Sequence, residues 1–180
     1  MQEKLMELAL YVAEKSRNDP RFGSTKLNKI LFAADFAYYG AKGQSITGSK
    51  YIHIANGPAP EGMKIVLETL TSLQKANIET TEYFGYTQKR LVPLVGANTS
   101  IFTSEELTFV DEYIQHFLPF NGSQLSEWTH KLLPWLLTDY KEEIPYNCIF
   151  MLNDLPVERA ALAWAENELN RLRIENGYAH

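Results

Sequence analysis

The chain has 180 residues, of which 45% are hydrophobic and 22% charged, and its formal net charge is −5. The apolar content excludes a disordered chain, the single cysteine, Cys148, excludes a secreted disulfide scaffold, and no run of about 18 apolar residues is present to cross a membrane. The opening Met-Gln-Glu-Lys lacks the pattern of a signal peptide, so one cytoplasmic domain is expected.

The first element is an amphipathic helix with Leu5, Leu8, Ala9 and Val12 at helical spacing, ended by Asn18-Asp19-Pro20. A second helix starts at Gly23-Ser24, with Ser24 or Thr25 as cap. It carries Leu27, Ile30, Leu31, Ala34 and Tyr38 on one face, and Gly40 and Gly43 close it. Tyr51 to Ile54 reads as extended. Asn56-Gly57-Pro58-Ala59-Pro60 must be a loop, because proline lacks an N–H and restricts the residue before it. Pro60 fits the first turn of a third helix reaching about Ala76, with Ile65, Val66, Leu70 and Leu73 inward. Strand formers over 78–95 predict a hairpin turning around Gly85–Gln88.

Thr103-Ser104-Glu105-Glu106 is a capping box opening a fourth helix with Leu107, Val110, Ile114 and Phe117 inward. A shorter helix starts at Asn121-Gly122-Ser123 and runs through Trp128 and His130, and Pro134 restarts the chain. Residues 138–153 have no clean period, and Asp154-Leu155-Pro156 opens a last helix. The predicted fold is mainly α (α+β), a single helical domain over 1–153 with a small β-hairpin, plus a C-terminal helical extension over 154–180 packed on the same domain.

The search for chemistry comes out empty. The histidines 53, 116, 130 and 180 do not pair with each other or with Cys148 at metal-ligand spacing, and Cys148 sits in an apolar run that keeps a thiol inert. No nucleophile elbow, phosphate loop or dinucleotide fingerprint is present. No catalytic residue, cofactor or metal is expected. Residues 1–90 hold 12 Lys/Arg against 9 Asp/Glu, and residues 91–180 hold 5 against 13. A basic surplus that small and spread does not suit nucleic acid, whose binders concentrate cations on one face. The acidic half is either solvated surface or a dock for a basic protein.

Two runs carry a resemblance. Thr25-Lys26-Leu27-Asn28-Lys29-Ile30-Leu31-Phe32-Ala33-Ala34-Asp35, then Ile46-Thr47-Gly48, Tyr51-Ile52 and Gly57-Pro58-Ala59-Pro60, followed later by Thr129-His130 and Pro134-Trp135, resemble the Panacea domain, the SocA-like antitoxin family of phage-associated proteins. Phe32, Ser45 and Ala59 depart from the tyrosine, proline and valine common in the family. The resemblance implies a cytoplasmic antitoxin that neutralises a protein toxin encoded nearby by direct binding, in some members as an adaptor delivering the toxin to a protease. No enzyme mechanism follows from it.

The motif residues Lys26, Lys29, Asp35, Gly48, Tyr51, Asn56, Gly57, Pro58, Pro60, His130 and Trp135 are the candidate partner-binding or structural positions. Lys26 and Lys29 share a helix face and either pair with acids of the second half or grip an acidic toxin. Asp35 needs a partner and is expected to clasp the Gly48–Tyr51 or Asn56–Pro58 stretch. Gly48 and Gly57 supply turn geometry, and the proline-stiffened loop suits presentation to a partner. His130 and Trp135 are a packed pair or a binding anchor, and the hairpin's free edges are a second interface candidate. Two other classes stay open. A DNA-associated regulator would use Lys26, Lys29, Lys42, Lys50 and Lys64; a hydrolase would need Asp35 and His130 to meet in a cleft. The C-terminal helix could pack on its own domain or on a second copy in a homo-oligomer.

Overall fold

A computed structural model describes residues 2–83 and 85–151. Its centre is α2 (Ser24–Lys42), with fourteen of nineteen residues buried, among them Leu27, Ile30, Phe32, Phe36 and Tyr38. A helix buried on every side is a core helix rather than an amphipathic surface one, and the other elements wrap it. α1 (Gln2–Lys15) lies alongside with Leu5, Leu8, Ala9 and Val12 inward. The start of α2 differs from expectation: Gly23 is its cap residue, extended, with no side-chain cap from Ser24 or Thr25. Gly43 ends it as expected, in the left-handed region at φ 72°, its N–H donating to the Tyr39 carbonyl. Gly40 instead sits inside the helix, where an added Cβ would lie 3.0 Å from Ile149.

Three two-residue strands form one antiparallel sheet in the order β2 (Ala59–Pro60), β1 (Tyr51–Ile52), β5 (Glu143–Ile144), with Tyr51 opposite both Pro60 and Ile144. Pro60 is therefore an edge-strand residue, where its missing N–H is tolerated. α3 (Met63–Ser72) begins later, after Gly62 at φ 73°. Its inward face is Met63, Val66 and Leu70, whereas Ile65 and Leu73 are exposed. The later start explains this: Met63 sets the buried stripe, and Leu73 falls at the C-cap. The hairpin pairs β3 (Ala76–Tyr83) with β4 (Tyr86–Pro93), and Tyr83 opposite Tyr86 leaves a two-residue connection. Its turn is tighter and earlier than expected, because Gly85 supplies a positive φ of 79°.

α4 (Ser104–Phe117) has the expected capping box between Thr103 and Glu106 and buries Phe109, Val110, Tyr113, Ile114 and Phe117, with Leu107 half-buried. α5 (Gly122–Thr129) opens on a second box, Asn121 with Gln124. α6 (Leu133–Leu136) carries Pro134 in its first turn, and a 3-10 turn over Tyr146–Met151 follows β5. The mainly α fold with small sheets is thus observed. Ile144 and Ile149 pack into the same core as the helices, and the C-terminal helix expected over 154–180 lies outside the described residues.

The charge asymmetry is used inside the fold. Lys4, Lys15, Lys42 and Lys50 of the first half pair with Glu106, Asp111, Glu105 and Glu143 of the second at 2.5–3.2 Å.

Candidate functional site

Asp35 has no exposed surface. Its Oδ1 accepts from the Thr47 N–H at 2.9 Å, and its Oδ2 accepts from the hydroxyls of Thr47 and of Tyr51, the latter at 2.8 Å. The Tyr146 hydroxyl stands 3.4 Å from Oδ2 and donates to the Ser49 carbonyl at 2.6 Å. Gly48 makes the intervening turn possible at φ 68°, its N–H donating to Ser45 Oγ. The rings of Phe32, Phe36, Tyr51 and Tyr146, two of which bring their hydroxyls to the carboxylate, pack against one another. Burial pushes the Asp35 carboxyl above the ordinary range in spite of its donors, and burial with the Asp35 charge pushes Tyr51 well up. Of the two stretches expected to meet Asp35, the chain uses the one around Gly48–Tyr51.

Lys26 and Lys29 are both 1% exposed. One reading expected them to pair with acids of the second half, and among the described residues neither does. Lys26 forms an ion pair with Asp19 at 2.6 Å and donates to the carbonyls of Phe120 at 2.8 Å and Leu118 at 3.3 Å. It ties the α1–α2 loop to the α4–α5 loop, and burial lowers its pKa despite Asp19. Lys29 donates to the Pro58 carbonyl at 2.8 Å and is lowered by burial to about 7. Gly57, at φ 91°, lies directly over it: an added Cβ would be 2.2 Å from Thr129 Oγ1 and 2.6 Å from Lys29 Nζ. Only a residue without a side chain lets the loop approach that closely. Gly57, Pro58 and Pro60 are buried, so the part of this loop open to a partner is Ala55 and Asn56.

Beside it stands an aromatic stack. Trp135 lies against His53 with ring centres 3.3 Å apart and against His130 at 4.4 Å, all nearly parallel. His53 Nδ1 is 3.2 Å from the Thr138 hydroxyl. Burial, then the charges of Lys29 and His53, lower the His130 pKa. His130 and Trp135 are therefore a packed pair, half-buried. The leucines around Trp135 are not all core: Leu132 is buried, but Leu133, Leu136 and Leu137 are exposed.

The structure thus gathers Lys29, Gly57, Pro58, His130 and Trp135 into one cluster and Asp35, Gly48 and Tyr51 into another. Asp35 and His130 share no partner among the described residues, and Asp35 has no exposed surface. The five lysines of the nucleic-acid reading do not form a basic surface, since Lys26 and Lys29 are buried and Lys42, Lys50 and Lys64 are held by Glu105, Glu143 and Glu68. Burial raises the Cys148 pKa, the direction that disfavours a thiolate. Among the described residues no group of three His, Cys, Asp or Glu could hold a metal ion, and no helix is long and apolar enough to cross a membrane.

Sequence reasoning missed Thr47, His53, Asp19 and Tyr146. Thr47 was within reach, as the middle residue of the Ile46-Thr47-Gly48 motif. Tyr146 was not, because it comes from an aperiodic stretch about a hundred residues after Asp35.

The protein is thus a mainly helical domain whose signature residues clasp its own loops around one buried helix. A family model described as antitoxin SocA-like, Panacea domain, matches residues 27–136, and the chain belongs to that family. No curated protein and no solved structure matches it. The matched span holds α2 from Leu27 onward and both clasped loops, and it ends before β5 and the turn that supplies Tyr146.

Proposed function

We propose that this protein neutralises a protein toxin encoded beside it by direct protein–protein binding in the cytoplasm, with no catalytic residue of its own. The observation that carries the reading is the family match over residues 27–136. The internal use of the motif residues supports it: Asp35, Lys26 and Lys29 are spent on holding loops, which leaves surface, not a reaction centre, as the working part. An adaptor role, in which the bound toxin is passed to a protease, is the finer form of the same reading. Co-expression with the adjacent gene tests both. Growth is expected to resume and a complex to co-purify, and in the adaptor form toxin levels fall only where the protease is present. Continued arrest with no complex recovered overturns the reading.

A further inference from the structure

Trp135 carries an imidazole on each face. The ring centres of His53 and His130 lie 3.3 and 4.4 Å from its own, with the planes only 23° and 18° from parallel. Two rings that close and that parallel cannot share one face, so the indole is sandwiched. The imidazole centres are then no further apart than those two separations laid end to end. The sandwich is a seam between two segments. His53 follows β1 and leads into the Ala55–Pro58 loop, its backbone bonded to Lys141 and Glu142. His130 caps the end of α5, and Trp135 lies in α6. Lys29 enters the seam from α2, bonded to the Pro58 carbonyl beside Gly57 and Thr129.

The charges around the seam decide what a proton does there. Lys29 and His53 oppose a charge on His130, while the Ala55 backbone and Glu127 favour it. His130 and Glu127 also line a polar cavity whose other charged side chains are Arg21, Lys26 and Lys89, and Asp19 is the ion-pair partner of Lys26. Around His130 the named cations therefore outnumber the named carboxylates. On the His53 side, the Glu142 carboxylate accepts from the Asp139 N–H, and Lys141 Nζ lies over the Tyr140 ring. Histidine takes up its charge between about pH 8 and 5, and burial has already brought Lys29 down to about 7. Acid thus turns a largely neutral cluster into neighbouring cations. One imidazolium on an indole face gains attraction from the ring. A second on the opposite face, with Lys29 beside it, meets like charge in a half-buried place. Groups that bind a proton less tightly in the closed seam than in water drive it open as pH falls.

We propose that the His53–Trp135–His130 sandwich is a proton-operated latch. In neutral and alkaline solution it holds the α5–α6 corner against the Ala55–Pro58 loop, and in acid it parts and gives Asn56 and Trp135 to solvent. The latch is built into the fold and goes beyond the reading that the protein binds a toxin.

The test uses the full chain alone. Amide hydrogen exchange, corrected for its intrinsic pH dependence, is followed from about pH 8 to pH 5. Protection over residues 53–58 and 129–138 is expected to fall at least about tenfold across that range, while α1 keeps its own. His53→Gln and His130→Gln each replace an imidazole by a planar amide that takes no charge, and each should keep most of the protection at the acid end. In the parent, nuclear magnetic resonance of the imidazoles should show His130 titrating below the ordinary 6.5 and moving up in Lys29→Met. That measurement decides the matter even where a glutamine variant does not fold. Protection that does not change with pH overturns the latch. So does a loss shared equally by α1, a loss in both glutamine variants as large as in the parent, or a His130 that titrates at or above 6.5.

Discussion

Asp35 and Lys29 are two buried ionisable groups on one helix, six residues apart, and α2 uses them differently. Asp35 is ringed by donors from two segments, Thr47 and Tyr51 near in sequence and Tyr146 far away. Lys29 has one backbone carbonyl, that of Pro58, and no carboxylate among its described partners. A carboxylate accepts several bonds at once and locks several segments together. An ammonium lowered to about 7 by burial is a weaker and adjustable fastening. The difference separates a fold-defining node from a loop clasp next to the half-exposed His130–Trp135 stack.

The comparison can be broken first at Asp35. Asp35→Ala leaves the Thr47 N–H and the Thr47 and Tyr51 hydroxyls without their acceptor, and urea unfolding should show a loss of about 3–5 kcal/mol. Gly57→Ala attacks the Lys29 side alone. A Cβ placed on Thr129 and Lys29, at a positive φ, should cost about 2–3 kcal/mol by the same measurement.

Lys29→Met sharpens the contrast through pH. Between about 7 and the ordinary 10.5 the folded chain binds fewer protons at Lys29 than the unfolded chain does. Stability due to this group therefore rises with pH across that window, by up to about 1.4 kcal/mol per pH unit, and falls as pH drops toward 7. Urea midpoints from pH 7 to 10 should show that slope in the parent and its reduction in the variant. Asp35 has the opposite sign. Its raised pKa means the folded chain holds the proton more tightly, so its contribution is lost as pH rises from the ordinary carboxylate range through its folded value. The smallest effect is expected of Tyr146→Phe, which removes the bond to Ser49 and the distant approach to Asp35 and should cost about 1 kcal/mol.

Much of the fold was legible in local pattern. The Thr103 capping box, the Gly43 stop and the hairpin all follow from residues within a few positions of each other, as do the helices they bound. The errors cluster where a neighbour from elsewhere decided. Pro60 reads as a helix start by itself, but pairing with Tyr51 makes it an edge strand. Gly40 reads as a terminator, but the helix continues and Ile149 packs over the site. The site was half legible. Motif order picked out Lys29, Asp35, Gly57 and His130 as special, and the loop that meets Asp35 was one of the two it offered. It could not tell that both lysines are buried, because a lysine on a helix face carries no local sign of its burial.

From the sequence alone came the fold class, the family resemblance and the emptiness of the catalytic search, because periodicity, caps and motif spacing are properties of neighbouring residues. The tertiary structure decided which charges are spent. It joined the near-neutral first half to the acidic second through Lys4, Lys15, Lys42 and Lys50, and it sealed Asp35 under Tyr51 and Tyr146. Those outcomes depend on side chains brought together across as many as 111 residues of chain, and no local pattern records such a meeting.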